Sequence, residues 1–592
     1  MGNLSTGESQ LLLASLLSLC LGPFICHLAR AHSRMLILLD GFIFVTMPGV
    51  LFLSILLPIL IRGHWEAVFF FLAGILAPGL AKRFFPERPV RVDLTALVLG
   101  LLGLCLHSAA DGAGRSAHDY GGESGWNLLP LAVFLHRFPV GLAIWWLFRS
   151  GYGSWKAAGA LAALLFGTGL GFFSGPRALA APYGQSADWF QALAVGFLLH
   201  ATLQLTRSKI GDLVPAGSGM QRWSSGAGAL LGVVLLTALF QVGQFPHAAA
   251  GERIVSTFFQ LALKGAPALL IAYLVAGFMS SFLTRSSIAW MRRGRQWNQA
   301  MRGMAVGLPF PICSCGVVPL YRTLVRSGAP ATAAMAFLIS TPELGLDAVL
   351  LSIPLLGGEM TIVRVVAAAL VALLVGWIVG RLVPRLGSHN ESEERCGSPA
   401  SLPLGQKIRQ GLSNGFGDAV DHTAPWIVFG LILAAVVEAF LPASWLQRLP
   451  AALEIPAFAI LGLPTYVCAS SATPFVAVLL FKGVSPGAAL AFLLTGPATN
   501  VTTFGVLAQL HGRRIALCFS VAIILLSVAL GYLTNAILPQ IQTTALEGPA
   551  AGAPANLELL CLILLAGLYT FSLLKRGVRG FVGEISLKGH HG

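Results

Sequence analysis

Apolar runs of about 20 residues recur along the 592-residue chain, and they decide its fold class. A helix of that length is needed to cross the hydrocarbon core of a bilayer. Charged residues make up 10% of the sequence, against roughly 25% in a soluble domain. We therefore predict an all-α polytopic membrane protein. The net charge of +14 then indicates basic loops on one side of the membrane rather than a nucleic-acid site.

The predicted topology has about 15 transmembrane helices and two re-entrant segments. The apolar runs counted as crossings include 127–147, 188–205 and 418–441, and the runs at 331–357 and 484–510 are each predicted to be one crossing. The apolar segments 303–326 and 455–483 are broken by glycine and proline, and are predicted to enter and leave on the same side. Most Lys and Arg residues then lie in cytoplasmic loops. This topology places the N-terminus outside, the C-terminus in the cytoplasm and the protein in the inner (plasma) membrane.

An internal repeat organises the C-terminal half. The segment 307–343, GLPFPICSCGVVPLYRTLVRSGAPATAAMAFLISTPE, aligns without gaps with GLPTYVCASSATPFVAVLLFKGVSPGAALAFLLTGPA, which begins 155 positions later. Identical pairs include Gly307/Gly462 and Cys313/Cys468. Each copy is predicted to contain three crossings and one re-entrant segment. An odd number of crossings makes the two copies inverted, as in many secondary transporters.

Three cysteines lie on the broken segments and are candidate ligands. Cys313, Cys315 and Cys468 converge if the two re-entrant segments meet near the pseudo-twofold axis. Thiolates select soft ions, such as Cu(I), Zn(II) or trivalent arsenic, whereas Mg²⁺ prefers oxygen ligands. The alternative is that these cysteines are small apolar groups that let helices pack closely.

Polar residues inside the apolar runs are the second set of candidates, because charge is costly within a bilayer. Glu343 and Asp347 follow the first re-entrant segment in STPELGLD, and GPATN brings Asn500 to the matching region of the second copy. The position of Glu343, next to the paired prolines, favours an acid that faces a cavity and binds a proton or assists the cation. The alternative is an interfacial carboxylate near a helix end.

Four of these motifs, taken in order, resemble the ArsP-type predicted permeases over about residues 253–540: GLPFPICSCGVVP, FLISTPELGLD, GLPTYVCASSATP and FLLTGPATN. The resemblance implies a membrane efflux permease for soft metal ions or organic trivalent arsenicals, whose cysteines bind the substrate. The positions that match the family are Cys313, Cys315, Cys468, Asp347 and Asn500. Glu343 stands where an amide is expected, which leaves its role and the substrate open.

The first 250 residues resemble a different family. LLGLCLHSAADGAG and FLHRFPVGLAI are similar to the fourth and fifth helices of ZIP-family metal transporters, which implies an eight-helix membrane domain. Arg137 and Val140 replace the metal-binding glutamates of that family, and a buried arginine repels a divalent cation. The resemblance therefore predicts a weaker zinc site in place of a binuclear one, formed by His107, Asp111, His136 and His200. The alternative is a degenerate domain kept for scaffolding or regulation.

Five segments follow from these patterns: 1–250, the ZIP-like domain; 251–380, the first permease repeat; 381–412, a cytoplasmic linker; 413–540, the second repeat; and 541–592, a C-terminal helix and tail. The sequence predicts no enzyme and no cofactor beyond transported metal or metalloid and zinc in the N-terminal domain. Its predicted partners are the lipid bilayer and the substrate, with homo-oligomerisation left open. Two alternatives are metal uptake through the ZIP-like half and a membrane thiol oxidoreductase using Cys313 and Cys315.

Overall fold

The computed structural model describes the following residues: 6–29, 32–64, 66–84, 89–115, 129–179, 185–213, 219–241, 248–282, 285–308, 314–383, 403–440, 450–463, 469–481, 483–538 and 555–585. All regular elements among these residues are helices. The chain forms two compact units, Met1–Glu252 with Leu573–Gly580, and Arg253–Ser572 with Phe581–Gly592.

Helices long and apolar enough to cross a membrane run through both units, and the described residues contain 11 of them. The all-helical membrane class predicted from the sequence is therefore confirmed. The four other predicted crossings, at 127–147, 188–205, 418–441 and 484–510, fall on helices outside this set of 11. The count of about 15 stays a prediction.

The first unit is built from helices that pack through small residues. Their bounds are α1 Thr6–Ala29, α2 Ser33–Leu51, α3 Leu57–Ile61, α4 Glu66–Phe84, α5 Pro89–Arg115, α6 Leu129–Tyr152, α7 Ser154–Leu179, α8 Gln185–Leu213 and α9 Gly219–Gln241. A π-helical turn, Phe52–Leu56, joins α2 to α3. At Gly74 and Gly196 the backbones of α4 and α8 are so close that a methyl group on either glycine would clash with the other helix. Such contacts let membrane helices associate without a hydrophobic driving force.

A late part of the chain completes this first unit. The C-terminal helix, α24 (Ala555–Gly583), bends at Gly577, where φ is +71°. Its segment Leu573–Gly580 belongs to the first unit rather than to the second. Arg579 donates hydrogen bonds of 2.7 Å to both carboxylate oxygens of the buried Asp40 on α2. A bidentate contact of this kind fixes the planar guanidinium in one orientation.

The second unit contains the remaining helices. Their bounds are α10 Ala248–Phe282, α11 Arg285–Arg292, α12 Gln296–Gly307, α13 Ser314–Arg326, α14 Ala331–Leu344, α15 Leu346–Leu356, α16 Gly358–Leu382, α17 Leu404–Ser413, α18 Val420–Phe440, α19 Ala451–Gly462, α20 Ala469–Phe481, α21 Pro486–Thr495, α22 Val501–His511 and α23 Arg513–Ile537. A π-helical turn, Asn414–Ala419, joins α17 to α18.

Helix bounds recur in this unit at the spacing of the sequence repeat. Shifting α12, α13, α15 and α16 by 155 positions gives the bounds of α19, α20, α22 and α23. One packing contact recurs as well. A methyl group on Gly307 would clash with Ser340 Oγ, and one on Gly462 would clash with Thr495 Oγ1. Ser340 and Thr495 are again 155 positions apart, so the two sets of helices share a local packing arrangement.

Each of the predicted single crossings 331–357 and 484–510 is divided into two helices. In the first, α14 ends at Leu344 and α15 begins at Leu346, because Gly345 between them takes a non-helical ψ of 145°. In the second, α21 ends at Thr495 and α22 begins at Val501. Each of these predicted crossings thus consists of two helices with a break between them, and the number of times each run crosses the membrane stays a prediction. The first break has one glycine between two leucines as its sequence signal, whereas the second lies in TGPATN, which contains both a glycine and a proline.

The predicted re-entrant segments correspond to short helices. Helices α13 and α20 have 13 residues each. At 1.5 Å per residue such a helix is ~20 Å long, which is less than the ~30 Å of a bilayer core. The stretches 309–313 and 464–468, which precede these helices, lie outside the described residues. Re-entry stays a prediction.

Candidate functional site

The breaks in the two divided crossings place polar groups inside the second unit. The last carbonyl groups of one helix and the first N–H groups of the next have no partner within their own helices. Glu343 lies in the last turn of α14, next to the first break, and Asn500 is the N-cap residue of α22, at the second. Both side chains are buried. The breaks are therefore the candidate site.

Glu343 faces an arginine. Glu343 and Arg364 are each 1% exposed, and Arg364 Nη2 lies 3.9 Å from Glu343 Oε2. Neither carboxylate oxygen of Glu343 has a hydrogen-bond donor among the described residues. A buried carboxylate normally accepts several hydrogen bonds. Within the described part of the chain, Glu343 is thus paired with Arg364 through charge, and its oxygens accept no hydrogen bond.

Arg364 is held by two hydroxyl groups. Its Nη1 donates to Ser352 Oγ at 2.5 Å and to Thr473 Oγ1 at 2.8 Å. Ser352 lies on α15, whereas Thr473 lies on α20 of the second set of helices. Arg364 therefore connects the two sets. Sequence reasoning missed this residue, although an arginine six residues into the 25-residue apolar helix α16 is itself a signal of function.

Asn500 caps the helix that begins after the second break. Its Oδ1 accepts hydrogen bonds from Thr503 N at 2.8 Å and from Thr503 Oγ1 at 3.1 Å. Its Nδ2 is buried and has no acceptor among the described residues. One end of this amide thus stabilises the helix, and the other end is open to a ligand or a water molecule.

The other candidate ligands of this unit fall on parts of the chain that the structure does not describe. Cys313 and Cys468 lie outside the described residues. Cys315 is in α13 and Asp347 is in α15, but their side chains are not described. The convergence of the three thiols stays a prediction.

In the first unit, three predicted ligands come together. His107 and Asp111 lie one turn apart on α5, and His136 lies on α6. One ligand atom from each residue lies within 4.8 Å of the others. They line one cavity, together with Arg137 and Val140. Two imidazoles and a carboxylate are a ligand set that suits zinc.

Arg137 lies in the same cavity, as a cation next to these ligands. Its Nη2 is 3.4 Å from Asp111 Oδ2, and its Nη1 donates to Thr168 Oγ1 at 2.5 Å. The Arg137 side chain is buried. The ligand set therefore fits a metal ion in residue type and spacing, whereas the guanidinium opposes one through its charge.

His200 lies apart from this group. Its Nδ1 is 2.9 Å from the backbone oxygen of Ile75 on α4. The close group of three ligands among the described residues does not include it. The inclusion of His200 in the predicted zinc site is not supported by this placement.

The second unit matches a known family. Residues 251–536 match the model of the ArsP_1 family, described as predicted permease. This range agrees with the resemblance predicted over about 253–540, and it confirms that part of the sequence analysis. The ZIP-like interpretation of residues 1–250 stays a prediction.

Three curated relatives share limited identity with the chain. UPF0718 protein YcgR of Bacillus subtilis is 29% identical over 87 residues, which span 15% of this chain and 30% of that relative. A Streptococcus mutans protein named "Putative two-component membrane permease complex subunit" is 23% identical over 255 residues, which cover 42% of this chain and 83% of that protein. UPF0718 protein MJ0584 of Methanocaldococcus jannaschii is 22% identical over 338 residues, which cover 46% of this chain and 92% of that protein.

No solved structure matches the chain. The helical architecture, with 11 candidate membrane spans among the described residues, defines a class, the multi-pass membrane proteins. More particularly, residues 251–536 are similar to the predicted permeases of the ArsP_1 family.

Proposed function

We propose that this protein is a permease that exports soft metal ions or trivalent arsenicals. The observation that carries the proposal is the pair of divided crossings, α14–α15 and α21–α22, in a unit that matches the predicted permeases. Discontinuous helices that leave polar groups buried near the membrane centre form the substrate sites of many secondary transporters. The translocation path would pass along the two breaks.

Inverted symmetry of the two sets of helices is part of this proposal. The helix bounds repeat at 155 positions, and each set would cross the membrane an odd number of times. The two broken segments would then approach the membrane centre from opposite sides. Arg364, which contacts both sets through Ser352 and Thr473, supports an interface between them.

The thiols are the proposed ligands of the cargo. Helix α13 begins one residue after Cys313, and α20 begins one residue after Cys468. The positive end of a helix dipole favours the thiolate form, which is the form that binds metal. With Cys315 they would supply three soft ligands for Cu(I), Zn(II) or trivalent arsenic. Asp347 and Asn500 would line the same path.

Loss of the thiols tests this function. Cys313→Ser and Cys468→Ser should each abolish accumulation of the cargo in everted vesicles, with Cu(I), Zn(II) and a trivalent phenylarsenical tested separately. Serine keeps the size of the side chain and removes the soft ligand. Cys518→Ser is the matched control, because Cys518 is exposed on α23. Unchanged accumulation of every transported probe in both variants would contradict the thiol site.

A second function, metal binding by the first unit, is favoured by the group His107, Asp111 and His136. We propose that this unit senses metal or delivers it to the permease. Arg137 would have to release Asp111 before the ion binds. Zinc titration of the purified full-length protein should show a site that the double variant His107→Ala/His136→Ala removes, without loss of cargo accumulation at saturating metal. An unchanged stoichiometry would contradict this proposal.

A further inference from the structure

We propose that Glu343 carries the proton of a proton-coupled exchange, and that its pairing with Arg364 links proton binding to movement of the permease. This inference rests on the proposed permease function and adds the energy source. A proton would enter along its gradient, bind the Glu343 carboxylate and leave on the other side, in exchange for outward movement of the cargo. No bond within the cargo is made or broken.

The Glu343 carboxylate is buried and accepts no hydrogen bond from the described residues. Glu343 is buried in a helix that belongs to a candidate membrane span, Ala331–Leu350. Its oxygens have no hydrogen-bond donor among the described residues, and the nearest guanidinium nitrogen is 3.9 Å away. A carboxylate built only to hold a fold would be fully hydrogen-bonded. One with open positions has room for a proton.

The second copy of the repeat lacks both charges of the Glu343–Arg364 pair. The positions equivalent to Glu343 and Arg364, 155 residues later, are Ala498 and Phe519. The Arg364 helix, α16, recurs as α23 with the same bounds and with Phe519 in place of the arginine, whereas α21, the counterpart of the Glu343 helix, ends at Thr495, before Ala498. The bounds of α16 therefore do not require these charges. Because intramembrane charge is costly, a pair that the fold does not need is best explained by function.

Arg364 connects Glu343 to α20, the helix that follows the proposed cargo ligand Cys468 in the sequence. Arg364 donates to Thr473, which lies five residues after Cys468 in the sequence and in the first turns of α20. Among the described residues, Arg364 is the charged group whose field acts on Glu343. When Glu343 takes a proton, its attraction for Arg364 is lost, while the two hydroxyl partners remain. The balance of forces on α20, the helix that carries Thr473, then changes.

The experiment uses the purified full-length chain in liposomes, with Cu(I), Zn(II) and a trivalent phenylarsenical as separate probes. Two quantities are measured: accumulation driven by an imposed pH gradient, and exchange of labelled for unlabelled probe without a gradient. Glu343→Gln should lose gradient-driven accumulation, down to the level of empty liposomes, and keep exchange. Glu359→Gln, an exposed carboxylate in the first turn of the same helix as Arg364, should keep both.

A folding defect is separated by a second variant. Glu343→Gln alone removes the carboxylate that lies 3.9 Å from the buried Arg364, so the double variant Glu343→Gln/Arg364→Gln removes both charges. The double variant should melt like the wild type, and it should still fail to respond to the pH gradient.

The outcomes distinguish the two proposals. Gradient-driven accumulation by Glu343→Gln, or wild-type accumulation that does not respond to the imposed pH gradient, would overturn the proton role and leave the permease intact. Loss of exchange as well, in a variant that melts like the wild type, would also overturn the inference and place Glu343 in cargo binding. Absence of exchange in the wild type with all three probes would reject the proposed cargo class itself.

Discussion

At the scale of single residues, the sequence could predict the chemistry but not the partners. Glu343 and Asn500 were recognisable as polar groups in apolar runs, and the spacing of His107 and Asp111 placed them on one helical face. Arg364 carried the same kind of signal, a charge in an apolar run, but its role depends on Ser352 and Thr473, which come from two other helices. No local pattern encodes a contact over 109 positions of sequence, as between Arg364 and Thr473.

Removal of the opposing charge in the first unit should strengthen metal binding. Arg137→Met deletes a guanidinium 3.4 Å from Asp111 and keeps an apolar side chain of similar length. Unfavourable charge at such a distance is worth a few kcal/mol, so zinc affinity should rise about tenfold or more. The measurement is competition of the full-length protein with a chelator of known affinity.

Two further variants make this test specific. Arg137→Lys keeps the charge and should leave zinc affinity weak. Arg137→Met combined with His136→Ala should lose the gain, because one of the three ligands is absent. Equal zinc affinity of Arg137→Met and the wild type would show that the guanidinium does not oppose the ion.

At the scale of helices, the sequence predicted where the chain is apolar and where the repeat begins, but not where a crossing is divided. Gly345 is flanked by Leu344 and Leu346, and the charges two positions to either side, Glu343 and Asp347, do not show that a helix ends between them. The break depends on the backbone torsion of that glycine and on the packing of the helices around it. The matching break in the second copy, before Asn500, lies in TGPATN, where a proline and a glycine gave a local signal.

The packing of α12 on α14 and of α19 on α21 should depend on two glycines. Gly307→Ala and Gly462→Ala each add a methyl group that clashes with Ser340 or Thr495, so each should destabilise the protein by about 1–3 kcal/mol. The readout is the apparent melting temperature in detergent. Gly567→Ala, on α24 with no atom near the added methyl, should cause no loss.

A second substitution that removes the atom met by the added methyl group tests the clash directly. Combining Gly462→Ala with Thr495→Ala removes the hydroxyl that the new methyl group meets, and should recover part of the lost stability. Wild-type melting of both single glycine variants would show that the two helix pairs are not packed as described.

At the scale of the whole molecule, composition and motifs were sufficient for the membrane class and for the family match over residues 251–536. They could not show that Leu573–Gly580 belongs to the first unit, because an apolar helix sequence does not specify which other helices it packs against. The direction of each repeat copy is also a property of the whole membrane topology, which the positive-inside rule predicts and labelling can test.

The proposed inversion predicts opposite labelling of two equivalent positions. Glu359 and Arg514 are exposed, lie 155 positions apart and begin the matching helices α16 and α23. In a background with the exposed Cys20 and Cys518 replaced by serine, Glu359→Cys should react with a membrane-impermeant maleimide in whole cells. Arg514→Cys should react only in everted vesicles. Labelling of both from the same side would rule out inverted copies.

The pairing of Asp40 with Arg579 has a consequence for biosynthesis. A chain is made and inserted from its N-terminus, so α2 enters the bilayer more than 500 residues before its counter-ion has been translated. Until then α2 carries the Asp40 carboxyl group without Arg579, and an ionisable group of this kind is energetically costly inside a bilayer. The first unit therefore gains this contact only after α24 has been made, and a chain released before Arg579 is translated would lack the guanidinium that holds the Asp40 carboxylate.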